Sequence, residues 1–265
     1  MSEMLQIVSR KNEIVKDYIK LTDSSAYRKE RSLFTAEGAR LCFDAAQSEA
    51  SIVSVFYTLK AKEKYSKYLE KVIEKAENVY EISQSVADVM SDVKSSQGIF
   101  CVCRQKETYD MNLLKQNKKY IAGETIQDPS NLGAFFRTSE ALGIDGIILS
   151  GDCCDIYSPK VLRASMGAVF RMPVFIFEDF SSQMKELSEN GFETFAAVVS
   201  QNAKKITACD FSKGAVAVIG NEGNGLSKES IDACKYEITI PMNGRAESLN
   251  ASAAAMIIMW EMSRN

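Results

Sequence analysis

Residues 217–252, AVIGNEGNGLSKESIDACKYEITIPMNGRAESLNAS, decide how this chain folds. The stretch holds two apolar runs of strand character, each followed by a loop of glycines, amides and carboxylates and then by a helix start. In an open α/β sheet the ligand lies at loops of this kind, beyond the carboxyl ends of parallel strands. The stretch therefore predicts part of a parallel sheet and two loops of one ligand site.

The same alternation of strand-like and helix-like segments extends over residues 120–262. Strands are predicted at 120–124, 146–150, 174–177, 195–199, 215–219 and 237–240. The first helix is predicted to begin at Ser130 or Asn131, which are good caps, and to end at Gly143. A serine–proline pair at 158–159 opens another helix, and the last helix is predicted over 248–262. This pattern is typical of an α/β fold with a mostly parallel sheet and helices on both faces.

Residues 1–112 are predicted to form a smaller α/β domain. Strands are expected at 33–35, 51–59, 79–82 and 98–103, and helices at 4–20, 37–47, 62–76 and 85–90. Apolar periodicity is lost over 107–119, so we place the boundary there and predict domains of 1–112 and 113–265. The first domain is locally basic. The cluster that includes Arg28 and Lys29 is either a solvated face or a phosphate-contacting surface.

Composition excludes several classes of function. The chain has 265 residues, of which 46% are apolar and 25% charged, as in ordinary globular proteins. It contains no histidine, which excludes Ser-His-Asp hydrolysis and histidine-ligated metals. Its seven cysteines include no C-x-x-C pair, which indicates reduced thiols rather than a disulfide or metal framework. No signal-peptide pattern and no membrane-spanning apolar run is present, so we expect a cytoplasmic protein without a metal.

The first candidate loop contains glycines at 220, 223 and 225. Their spacing, G-x-x-G-x-G, is neither the dinucleotide fingerprint nor a Walker loop. Glu222 lies between them and would repel a phosphate, so the loop favours a neutral or cationic ligand. A plain strand-to-helix turn is the alternative interpretation.

Two further segments carry polar candidates. Asn131 and Arg137 belong to one predicted helix, where they either meet a ligand or serve as a cap and a surface ion-pair partner. Ser248 and Asn250 lie at the predicted start of the last helix, where a single capping residue would suffice.

Four segments together resemble one family. They are QDPSNLGAFFRTSEALG (127–143), YSPKVLRASMGAVFRMP (157–173), GNEGNGL (220–226) and IPMNGRAESLNASAAA (240–255). They look like the motifs of the SpoU-type RNA ribose methyltransferases of the SPOUT superfamily, and the resemblance covers residues 121–262. Residues 34–41, FTAEGARL, make the first domain similar to the small L30e-like RNA-binding domain that many members carry.

The resemblance implies a trefoil-knotted C-terminal sheet that binds S-adenosyl-methionine. By motif position, Gly220, Ile240 and Leu249 would hold this methyl donor, with Asn221 and Gly225 beside them. The resemblance also implies a homodimer with the active site at the subunit interface. The implied reaction is methylation of a ribose 2′-hydroxyl in RNA.

Five residues would carry the chemistry by the same resemblance: Arg137, Asn131, Glu222, Ser248 and Asn250. A ribose hydroxyl attacks only once its proton is taken or its oxygen is oriented, and Arg137 would do one or the other. Asn131 would fix its loop or the RNA, and Glu222 would orient Arg137 or favour the sulfonium donor. We expect ribosomal RNA as the substrate. Transfer RNA is the alternative, and a non-catalytic RNA-binding protein of the same fold is a further one.

Overall fold

A computed structural model describes residues 5–264 of the chain. Within this range the chain forms two compact units, one of residues up to 107 together with 155–171, and one of 108–154 together with 172–264. The segment 155–171 thus packs with the first unit, although the domains predicted from the sequence leave it within 113–265. We refer to the two as unit 1 and unit 2. No helix among the described residues is long and apolar enough to cross a membrane.

The elements follow each other closely along the chain. Up to residue 107 they are β1 (Leu5–Ile7), α1 (Glu13–Asp23), α2 (Ser25–Arg31), β2 (Leu33–Glu37), α3 (Ala39–Gln47), β3 (Ile52–Tyr57), α4 (Leu59–Lys64), α5 (Ser66–Lys75), β4 (Ala76–Ile82), α6 (Gln84–Met90) and β5 (Ile99–Arg104). Beyond it they are β6 (Lys119–Gly123), α7 (Pro129–Ala141), β7 (Gly146–Ser150), α8 (Pro159–Ala164), β8 (Val174–Phe177), α9 (Phe180–Glu189), β9 (Thr194–Ala197), β10 (Lys204–Lys205), β11 (Ala215–Ile219), α10 (Lys228–Ala233), β12 (Tyr236–Thr239) and α11 (Ala251–Arg264).

Unit 1 is a five-stranded sheet in the order β1-β4-β3-β5-β2, in which β5 runs antiparallel to both neighbours. An aromatic cluster fills one face of it, where the Tyr18 ring meets Phe56 and Phe100 edge-on at 5.8 and 5.7 Å. The inserted segment 155–171 packs on Phe34, whose ring stacks on Tyr157 at 4.5 Å. Buried aromatic area of this kind supplies much of the stability of a small domain.

Three predictions for unit 1 are wrong. The helix predicted over 62–76 is two helices, α4 and α5, which Tyr65 separates. The stripe over 4–20 is not one helix: residues 5–7 pair with β4 as a strand, and α1 begins only after the cap Asn12; Met4 lies outside the described residues. Arg28 does not belong to a phosphate-contacting face, because it is 4% exposed and its Nε donates to Asp155 Oδ2 at 2.7 Å. A helical spacing of charges cannot reveal a partner 127 residues away.

Unit 2 is a seven-stranded sheet in the order β10-β12-β9-β11-β6-β7-β8, and every pair in it is parallel. All residues of β7 and β11 are buried, as expected for strands covered on both faces. β11 pairs with β6, and Ile219 lies opposite Gly123. The loops that follow these two strands therefore leave the sheet side by side. The trefoil knot stays a prediction.

Helix starts in unit 2 differ from the sequence prediction in two places. Neither Ser130 nor Asn131 caps α7, since Asp128 does so by accepting from the backbone N–H groups of both, at 2.6 and 3.1 Å. The last helix begins at Ala251 rather than at residue 248, and Asn250 Oδ1 accepts from the first-turn N–H groups. In the segment 155–171 of unit 1, the serine cap predicted at residue 158 is confirmed.

Candidate active site

The loop after β11, residues 220–227, is a tight turn that we call the donor loop. Asn221 and Gly225 pair through two backbone hydrogen bonds of 3.0 Å. The Asn221 side chain closes the turn from inside, since its Oδ1 accepts from the N–H groups of Gly223 and Asn224. A Cβ at Gly220 would lie 2.1 Å from the Gly225 carbonyl carbon. Only glycine at position 220 therefore permits this turn.

A pocket of about 450 Å³ opens against the donor loop. Its walls come from the ends of β9, β11 and β12, from the irregular segment 240–249, and from the first turn of α11. Among the predicted donor-binding residues it is lined by Gly220, Asn221, Gly225, Ile240 and Leu249. The volume falls in the range of roughly 300–1,000 Å³ typical of small-molecule sites. Apolar walls with many backbone polar groups suit a ligand that is partly apolar and not strongly anionic.

A chain of side-chain hydrogen bonds connects three of the four motif segments, 127–143, 220–226 and 240–255. Asn131 Nδ2 donates to Glu222 Oε1 at 2.9 Å, and Asn131 Oδ1 accepts from Asn250 Nδ2 at 3.1 Å. Asn250 Oδ1 in turn accepts from the first N–H groups of α11. An ionised carboxylate only accepts hydrogen bonds, so Glu222 fixes the orientation of the Asn131 amide and, through it, that of Asn250. We call these three side chains the amide relay.

Arg137 and Ser248 do not take part in the relay. Arg137 is exposed on α7, two turns after the start of the helix, and no hydrogen bond or ion pair joins it to the part of the chain that the structure describes. Glu222 is instead approached by the N–H groups of Gln127 and Asp128, at 3.5 and 3.4 Å. Ser248 is exposed and lines the pocket beside Leu249.

Glu124 and Thr125 lie at the same edge of the sheet as the donor loop, beyond the carboxyl ends of the strands, and were not predicted from the sequence. They follow β6 directly, and both bond to the donor loop or its continuation. Thr125 has a positive φ of 54°, which is uncommon outside glycine. The sequence did contain a signal for Glu124, because a carboxylate directly after a buried parallel strand lies where such sheets place their ligands.

Two thiols of unit 2, Cys153 after β7 and Cys234 before β12, are not poised to act as nucleophiles. Burial raises the pKa of the Cys153 thiol, and burial also raises the pKa of Cys234 to about 12. The reactive form of cysteine is the thiolate, so both side chains are protonated at neutral pH. Within residues 5–264 no group of three or more carboxylate or thiol side chains is arranged to hold a metal ion.

Comparison with known proteins identifies the class. Residues 118–260 match the model of the SpoU rRNA Methylase family, and residues 12–101 match that of the MRM3-like substrate binding domain. The chain belongs to the SpoU rRNA methylase family. It is an RNA methyltransferase with a substrate-binding unit before the catalytic fold, and its cofactor is S-adenosyl-methionine.

Individual relatives match over different shares of the chain. A 23S rRNA (guanosine(2553)-2′-O)-methyltransferase, RlmP of Bacillus subtilis, is 28% identical over 98% of this chain and 99% of its own. The crystal structure of an AdoMet-bound rRNA methyltransferase from Sinorhizobium meliloti is 29% identical, covers 98% of both chains and has a TM-score of 0.86. The TrmH/SpoU tRNA-modifying enzyme of A. aeolicus is 26% identical and covers 57% of this chain and 76% of its own, with a TM-score of 0.51.

Proposed function

We propose that this enzyme transfers a methyl group from S-adenosyl-methionine to a ribose 2′-hydroxyl of ribosomal RNA. The observation that carries the proposal is the amide relay, which joins the three motif segments and whose Glu222 lines the pocket. The relay gives the three segments one common geometry. Methyl transfer by direct attack needs little more than alignment of donor and acceptor.

The pocket against the donor loop would hold the methyl donor. Its lining fits a sulfonium compound, because Glu222 and Glu247 at its rim are acidic and no lysine or arginine among the described residues lines it. Gly220, Ile240 and Leu249 would contact the donor, largely through backbone groups. Asn221 and Gly225 would contribute through the shape of the loop, since the Asn221 side chain is engaged within the turn. S-adenosyl-methionine, once bound, supplies an electrophilic methyl group.

Arg137 would meet the acceptor. A guanidinium keeps its proton in proteins, so we assign Arg137 to positioning the ribose and its phosphate rather than to removing the proton. Its exposure leaves all its donors available. Ser248, exposed beside the pocket, would contact the ribose from the other side. The amide relay of Asn131, Glu222 and Asn250 would hold the segments that carry Arg137 and Ser248 in a fixed relative position.

Ribosomal RNA is favoured over transfer RNA by the extent of similarity. RlmP matches both units of this chain, whereas the tRNA-modifying enzyme of A. aeolicus matches little more than half of it. Substrate choice would reside in unit 1, which contains the match to the MRM3-like substrate binding domain. Action on ribosomal RNA would place the enzyme in the cytoplasm.

A homodimer would complete the site. α11 exposes Met256, Ile257 and Trp260 on neighbouring positions, with Trp260 56% exposed. Exposed apolar patches of this kind mark interaction surfaces, and α11 packs on α7, which carries Arg137. A second copy covering α11 would therefore lie close to the acceptor side. Sedimentation equilibrium measures whether the purified protein is a dimer.

Mapping ribose methylation in total RNA, with and without the gene for this protein, tests the assignment. We expect one methylated ribose in ribosomal RNA to be lost, and to return when the wild-type gene is restored. Loss of a ribose methylation in transfer RNA alone would replace the substrate, and unchanged methylation in both RNAs would contradict the function.

A further inference from the structure

The loops after β6 and β11 touch at a point that the amide relay does not use. Ile219 and Gly123 are opposite each other in the sheet, and Glu124 N–H donates to Ile219 C=O at 2.9 Å. Gly220 and Glu124 therefore leave the sheet as neighbours. Glu124 and Thr125, which follow β6, tie the donor loop to this strand at both ends of the loop, Glu124 through its carboxylate and Thr125 through its backbone carbonyl oxygen.

Glu124 holds the C-terminal end of the donor loop. Its Oε2 accepts from Ser227 N–H at 2.9 Å, and its Oε1 accepts from the hydroxyls of Ser227 and Ser230 at 2.6 and 2.7 Å. Ser230 is fully buried. Hydrogen bonds to an ionised acceptor are shorter and stronger than neutral ones, and three of them converge here on one carboxylate.

Thr125 holds the N-terminal end. Its carbonyl oxygen accepts from Asn221 Nδ2 at 2.8 Å. Its own position is fixed from the other side, since its N–H donates to Ser150 Oγ at 2.7 Å and its hydroxyl donates to Asp152 Oδ2 at 2.8 Å. A non-glycine residue with positive φ persists only where its surroundings over-determine it, and every polar group of Thr125 is indeed engaged.

We propose that Glu124 and Thr125 are positioning residues that preorganise the donor loop for S-adenosyl-methionine. Neither side chain is part of the amide relay, and each acts through the loop. Glu124 acts on Ser227 and Ser230, and Thr125 acts on Asn221. We call these contacts of Glu124 and Thr125 the clamp. The inference rests on the proposed function, because it takes the pocket against the donor loop as the donor site.

Apart from the clamp, the donor loop is held by the hydrogen bonds of its own turn and by Glu222, which accepts from Asn131 in the amide relay. Residues 222–225 are exposed, and three of the eight residues from 220 to 227 are glycines. A loop that is free in the absence of ligand loses conformational freedom on binding, and this cost lowers affinity. The clamp removes that cost in advance. Loss of the clamp therefore weakens donor binding, whereas the chemical step at saturating donor changes much less.

Isothermal titration of S-adenosyl-methionine into the full-length protein measures this. Glu124→Ala is expected to raise Kd for the donor by about tenfold or more, since the loop must then order on binding. RNA affinity and kcat at saturating donor should stay within about twofold. Glu178→Ala is the matched control, because Glu178 follows β8 at the same edge of the sheet, is exposed, and forms no hydrogen bond with the donor loop.

A double-mutant cycle with Ser230→Ala separates positioning from a general loss of stability. If Glu124 acts through Ser230, the donor Kd of the double variant should match that of Glu124→Ala within about twofold, because coupled residues are not additive. If the increase in donor Kd of the double variant equals the product of the increases in the two single variants, the clamp is contradicted. A folded Glu124→Ala protein with wild-type donor affinity would also contradict it. Should Glu124→Ala fail to fold, Ser230→Ala alone must still raise Kd, or the proposal fails.

Failure of the proposed function gives a different result. Leu249→Glu places a charge in the pocket without touching the clamp and should abolish donor binding. Donor binding that survives Leu249→Glu would show that the pocket is not the donor site. Donor binding that is lost in Leu249→Glu but unchanged in Glu124→Ala would contradict the clamp alone.

Discussion

Arg137 is the residue whose exposure bears most directly on function. A guanidinium with no partner in residues 5–264, on the helix that carries the relay's central asparagine, is available to a ligand. Arg137→Ala should lower the methylation rate by roughly a hundredfold or more, since misplacing a reactant by about 1 Å has an effect of that size. Donor Kd should not change. Transfer of a labelled methyl group to ribosomal RNA measures the rate. Lys185→Ala on α9 is the control for loss of a surface charge. A wild-type rate in Arg137→Ala would show that Arg137 is not part of the site.

The amide relay makes a prediction about polarity. Asn131→Asp would place a second carboxylate opposite Glu222, where an N–H donor stood. This substitution should lower the free energy of unfolding by about 1–3 kcal/mol. It should also remove most of the methyltransferase activity. Adding Glu222→Gln reverses the bond, because the glutamine amide can donate to the carboxylate introduced at position 131, which still accepts from Asn250. The double variant should therefore recover stability relative to Asn131→Asp alone. Chemical denaturation of the two single variants and the double variant measures this, and a double variant that is no more stable would contradict the relay.

At the residue scale the sequence predicted that the distant segments meet better than it predicted the contacts between them. Asn131, Glu222 and Asn250 were expected at one site, and the structure brings them into hydrogen-bond contact. The orientation of Glu222 was not predictable, because its partners at 127, 128 and 131 depend on the register of β6 against β11. Motif letters carry no information on that register.

Helix α7 is the element that presents both Asn131 and Arg137, and its start depends on Asp128. Asp128 Oδ1 accepts from two first-turn N–H groups, and Pro129 follows at the first helical position. Asp128→Ala should lower the free energy of unfolding by about 1 kcal/mol, the usual cost of losing such a cap. Ser130→Ala is the matched control, since Ser130 is exposed and its side chain forms no capping bond. Thermal denaturation compares them; equal destabilisation would mean that Asp128 is not the cap.

The sequence contained a signal for the true cap of α7 that the prediction did not use. An aspartate followed by proline has the same logic as the serine–proline pair that correctly predicted α8. Asparagine at 131 is a good cap by type, but here its side chain is needed by the relay and its backbone is already helical. The strands of unit 2 were predicted closely because continuous apolar runs are what a parallel sheet buried on both faces demands. The two-residue β10, which is exposed and polar, has no such pattern.

For the molecule as a whole, the main difference from the sequence prediction is the association of residues 155–171 with unit 1. The buried Arg28–Asp155 pair belongs to this association, and Arg28 Nη1 also donates to the carbonyl oxygens of Leu21 and Thr22. Arg28→Ala would leave Asp155 without its counter-charge, and breaking a buried pair costs about 3–5 kcal/mol. Lys29→Ala, at the exposed neighbouring position, should change the free energy of unfolding by less than about 0.5 kcal/mol. Urea denaturation followed by tyrosine fluorescence distinguishes the two; similar stabilities would contradict the buried pair.

The basic surface of unit 1 does not include Arg28, because that side chain is buried. Lys20 and Lys29 remain exposed on α1 and α2, and the Lys20 ammonium lies 5.8 Å from the centre of the Tyr27 ring. If this surface contacts RNA phosphates, Lys20→Glu with Lys29→Glu should weaken RNA binding and reduce the slope of log Kd against log salt by about 2, one for each lost phosphate contact. Lys67→Glu with Lys75→Glu makes the same change of net charge on exposed positions of α5. Fluorescence anisotropy with an rRNA fragment at several salt concentrations measures both slopes. Equal losses in the two double variants would indicate a response to net charge alone, and the surface would then be merely solvated.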